Sequence, residues 1–75
     1  MKIRIIMESP EELDLVNRIR TGVGRYINWL EQKFHKNDIS YTETKKGLVI
    51  IGDEKYEETI LDIIENAKNG AYEMM

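Results

Sequence analysis

Cysteine is absent from these 75 residues. That excludes disulfide staples, thiolate metal sites and a cysteine nucleophile, and it fits a reducing compartment. Histidine occurs once, as His35. It stands beside Lys36 near an expected helix end, a place that suits capping rather than catalysis or metal binding. Long apolar runs are also missing. The longest is the four residues Leu48 to Ile51, against the roughly 20 that a membrane span needs. The opening stretch MKIRIIMESPEEL turns acidic at once and does not resemble a signal peptide. There is no repeat, low-complexity tract or linker. The expectation is one small cytoplasmic domain over residues 1–75, with residues 71–75 fraying. Its core must come from the 41% of residues that are hydrophobic, in a chain able to bury only about 60% of its unfolded surface.

The net charge of −3 is unevenly spread. Residues 1–50 hold nine Lys/Arg and seven Asp/Glu, whereas residues 51–75 hold two and seven. Between residues 15 and 37 the cations Arg18, Arg20, Arg25, Lys33 and Lys36 face one acid, Glu31. Such polarity favours an anionic partner at one end while the whole stays soluble. The acids Asp53, Glu54, Glu57, Glu58 and Asp62 complement a helix N-terminus and a solvated face, and do not indicate a metal site.

Local patterns define the elements. Lys2–Met7 alternates cations with isoleucine and predicts a strand. Ser9-Pro10-Glu11-Glu12 carries a cap, a proline for the first helical position and a capping-box glutamate. The helix that follows buries Leu13, Val16 and Ile19, and the same phase continues through Val23, Ile27, Leu30 and Phe34, widened by Tyr26 and Trp29. It ends near His35-Lys36-Asn37, with Asn37 suited to a left-handed turn. Ile39–Thr44 alternates as a strand, Lys45-Lys46-Gly47 suits a hairpin turn, and Leu48–Gly52 reads as a buried strand. Asp53 caps a last helix whose inner stripe is Tyr56, Ile60, Ile63, Ile64 and Ala67, stopped by Asn69-Gly70.

Gly22 and Gly24 decide between two orders. A single helix from residue 10 to 35 would be about 39 Å long, in a domain whose expected radius of gyration is about 11 Å. Two interior glycines would cost it about 1 kcal/mol each. Both arguments favour a break near Thr21–Gly24 and a β-α-α-β-β-α, α+β fold: a three-stranded antiparallel sheet with helices on one face. The unbroken apolar phase favours the alternative, β-α-β-β-α with one long first helix.

The broken order resembles the type I KH domain over nearly the whole chain. That family joins its first two helices by a G-x-x-G loop, followed three residues on by an aliphatic residue. Here the matching stretch is Thr21-Gly22-Val23-Gly24 and then Ile27, with threonine at the first loop position. GLVIIGDEKYEETILDIIENAK is similar to the family's last strand and helix. The resemblance implies single-stranded RNA or DNA across the loop and an apolar groove beside the second strand. Arg20, Thr21, Gly22, Val23, Gly24 and Arg25 would form the loop site, Ile39 or Tyr41 would line the groove, and Lys45 and Lys46 would stand at its far edge. Amides at a helix N-terminus and flanking arginines are the chemistry that holds phosphate.

No cofactor is implied, and no nucleophile–base set or phosphate-loop fingerprint occurs, so the expectation is a non-enzymatic protein. The competing expectation is a protein-binding adaptor or inhibitor, of the kind phages and mobile elements encode. It would use the acidic last helix, or form a homodimer through a strand edge or the Trp29 face.

Overall fold

The computed structural model describes residues 1–72; of the tail expected to fray, residues 73–75 lie outside them. Strand β1 (Lys2–Ile6) leads through a 3-10 turn (Pro10–Glu12) into helix α1 (Leu13–Phe34). Strands β2 (Ile39–Thr44) and β3 (Gly47–Gly52) form a hairpin, and a second 3-10 turn (Glu54–Tyr56) opens helix α2 (Glu57–Lys68). The sheet is antiparallel with order β1-β3-β2. The fold is α+β as expected, and of the two element orders it follows the one with a single long first helix.

The β-branched run of β3 takes the centre because a strand paired on both sides is the most enclosed. Leu48 and Ile50 face the helices, opposite Ile5 and Ile3 on β1 and Glu43 and Tyr41 on β2. Val16, Ile19, Val23, Leu30, Ile39, Tyr56, Ile60, Ile63, Ile64 and Ala67 complete one buried cluster. Leu13, Trp29 and Phe34, assigned to the buried face by their spacing, are exposed. Trp29 instead stacks on Tyr26 at 5.8 Å and meets Phe34 edge-on at 5.1 Å, outside the core. Tyr41 also remains partly exposed, at the edge of the sheet.

Helix α1 runs through both glycines without a corner. The apolar phase prevails because Val16, Ile19, Val23 and Leu30 all reach the same core. Thr21 reinforces the helix, its hydroxyl donating to the Asn17 carbonyl at 2.9 Å. Length is no obstacle in an elongated molecule. A helix of 22 residues is about 33 Å long, and the chain measures 36 × 25 × 18 Å with a radius of gyration of 12.0 Å. Gly22 has a packing reason: a Cβ there would lie 2.7 Å from Ile63 Cγ2 and 2.8 Å from the Tyr72 ring. Glycine lets α2 approach α1 closely.

The helix ends differ in detail from the sequence pattern. Ser9 makes no side-chain cap; Glu12 accepts instead from the Glu8 amide at 2.9 Å. The left-handed residue that stops α1 is His35 (φ 54°), not Asn37. Asp53 does cap, accepting from the Lys55 amide at 3.1 Å. No helix among the described residues is long and apolar enough to cross a membrane.

Candidate functional site

Among the described residues, helices cover one face of the sheet. On the other, alternation along the strands puts Lys2, Arg4 and Ile6 beside Val49 and Ile51, and these beside Ser40, Thr42 and Thr44. No strand position on this face is a carboxylate, while α2 carries Glu57, Glu58, Asp62 and Glu65 on the far side of the molecule. The charge asymmetry of the sequence thus becomes a spatial one.

The hairpin turn concentrates this charge. Lys45 and Lys46 form its two-residue tip, and the Lys46 amide donates to Thr44 Oγ1 at 3.3 Å. The Lys46 carbonyl accepts from the Met7 amide at 2.6 Å, which ties the tip to β1. Close passage of β1 requires Gly47 (φ 154°), since a Cβ there would sit 1.9 Å from the Ile5 carbonyl oxygen. The result is a depression of about 350 Å³ whose lining includes Arg4, Ile6, Thr44, Lys45, Lys46 and Val49. Ile6, 62% exposed, contributes apolar surface, and three cations surround it. An anion bearing a flat apolar group matches such a surface: ammonium and guanidinium groups take the charge and the aliphatic patch takes the ring.

The residues expected to form a glycine loop are dispersed along α1. Gly22 and Val23 are buried against the core, Arg25 is exposed, and Gly24 faces Tyr41, whose hydroxyl is 3.9 Å from where a Cβ would stand. With Thr21, they belong to the continuous helix, so their amides serve the helical ladder rather than a ligand. Arg20 pairs with Glu43 at 3.0 Å on the helix-covered side, beside a 230 Å³ cavity that Lys45 also lines. Lys45 and Lys46 are the predicted residues that reach the open face. Arg4, which also lines the depression, was not among the predicted residues, although its alternation with Ile3 and Ile5 was the available signal.

No protein-family model, curated protein or solved structure matches this chain.

Proposed function

We propose that this protein is a non-enzymatic module that binds single-stranded RNA or DNA weakly across the open face of its sheet. The supporting observation is the depression in which Arg4, Lys45 and Lys46 surround exposed apolar surface on a face without strand carboxylates. The ligand class is the one expected from the sequence, but it no longer rests on the KH resemblance, whose broken helix order the chain does not adopt. The contact moves from the glycine corner to the sheet, because α1 retains the amides of Gly22–Arg25 inside a helix. Without aromatic residues on the strands of this face there is no stacking platform, so affinity rests on phosphate contacts and is modest.

Fluorescence anisotropy of a labelled single strand at two salt concentrations tests the proposal. Three neutralised phosphates give a slope of about −2 in log affinity against log salt. Lys45→Glu/Lys46→Glu is expected to abolish binding, and Arg20→Glu/Arg25→Glu to leave most of it. Salt-independent binding, or survival of the lysine double variant, overturns the assignment. The acidic outer face of α2, with Leu61 exposed among Glu57, Glu58, Asp62 and Glu65, favours a protein-binding role as the second reading. A partner retained after nuclease treatment and lost on neutralising those acids would support it.

A further inference from the structure

Strand β1 lies at one edge of the sheet. Its Met1 amine and carbonyl pair with Gly52 at 2.8 and 3.1 Å, and the Met7 amide reaches Lys46. Backbone groups on an antiparallel strand alternate in direction. Residues 1, 3, 5 and 7 therefore bond to β3, and the amides and carbonyls of Lys2, Arg4 and Ile6 point out of the sheet. Beneath this edge the helices leave a groove of about 370 Å³, whose apolar lining includes Ile5, Leu15, Val16, Ile19 and Ile64. Its charged lining is Arg4, Glu8, Glu12 and Lys68. A row of backbone donors and acceptors without partners among the described residues, beside a largely apolar groove, is the arrangement that accepts an added strand.

The charges on the edge select the occupant. Two copies of β1 paired about Arg4 would bring Arg4 opposite Arg4, with side chains about 5 Å apart, and like charges so placed repel. Cations on an edge are a common guard against self-pairing. On the open side of the edge the same Lys2 and Arg4 attract carboxylates on a different strand, while Glu8 and Glu12 at the groove favour uncharged side chains on the helix side. We propose that the β1 edge binds an extended segment of a partner protein in which acidic residues alternate with aliphatic ones. The acids lie opposite Lys2 and Arg4, and the aliphatic side chains enter the groove over Leu15 and Ile64. The interaction goes beyond nucleic-acid binding: its backbone contacts lie on the strand edge, and it shares the Lys2 and Arg4 side chains with the open face.

The probe is a seven-residue blocked peptide of alternating Glu and Val, titrated to millimolar concentration against the labelled protein, with an alternating Lys and Val peptide as control. The Glu/Val peptide is expected to slow amide exchange at Arg4 and Ile6 at least tenfold, with Ile3 and Ile5 protected throughout. Arg4→Glu, an exposed change checked for folding by circular dichroism, should exchange the preference for the Lys/Val peptide. Equal response to both peptides, no protection at Arg4 and Ile6, or a concentration-dependent dimer that protects these amides without peptide each overturns the proposal. The oligonucleotide is read through Lys45 and Lys46 and the peptide through β1 amides, so failure of one leaves the other standing.

Discussion

Glycines that are close neighbours on one helix can have opposite roles, and Gly22 and Gly24 do. A methyl group added at Gly24 would meet only the Tyr41 hydroxyl, at an ordinary contact distance of 3.9 Å. Gly24→Ala should therefore raise stability by about 0.5–1 kcal/mol, the usual gain for alanine over glycine within a helix. Gly22→Ala offers the same backbone gain but drives a methyl to 2.7 Å from Ile63 Cγ2. Overpacking of this kind costs about 1–3 kcal/mol, which leaves a net loss of about 1 kcal/mol. Urea unfolding of the two variants checks the contrast. Destabilisation by Gly24→Ala would mean that the backbone bends there after all.

Among the elements, the junction before α2 carries a pH-sensitive bond. The Tyr56 hydroxyl donates to Asp38 Oδ2 at 3.0 Å, linking the connection that precedes β2 to the start of α2. Burial, then the hydrogen bond to Asp38 and its negative charge, raise the phenol above its ordinary 10.0, with Lys55 opposing. A phenol that holds its proton more tightly when folded contributes fully below pH 10.0, and that contribution is lost as pH rises through the folded value. Urea midpoints at about pH 9 and about pH 11 should fall more in the native chain than in Tyr56→Phe. An equal fall in both would assign the alkaline loss to other groups. Elements of this kind were legible where one local pattern decided them: the Lys45-Lys46 hairpin, the Asp53 cap and the Ile60–Ala67 stripe all stand where their spacing puts them. The course of α1 was harder to read, because compactness and glycine cost argued against a phase that long-range packing on α2 rewards. Only the hairpin lysines of the candidate site were legible in the same sense. Lys45 and Lys46 announce themselves as a turn, but the pairing of β1 with β3 is what carries Arg4 to their side.

At the scale of the molecule, every surface described here depends on one core. Among the described residues no second layer covers the open face of the sheet, so β1 and the hairpin keep their places through the side chains they send towards α1 and α2. A domain of 75 residues has a total stability of about 4–11 kcal/mol. Ile60 on α2 is completely buried in the shared cluster. Ile60→Ala should cost about 2–5 kcal/mol, a large part of that total. Its neighbour Leu61 is 49% exposed, and Leu61→Ala should stay within about 0.5 kcal/mol of the unaltered chain. Because the cluster spans sheet and helices, the loss at Ile60 should appear everywhere at once. Hydrogen exchange of Ile3, Ile5, Val23 and Ile63 amides should accelerate together in Ile60→Ala, by the same factor that urea unfolding gives for the whole chain. If α2 amides alone accelerate while those of β1 keep their protection, the sheet has support independent of α2, and the open face would survive loss of that helix.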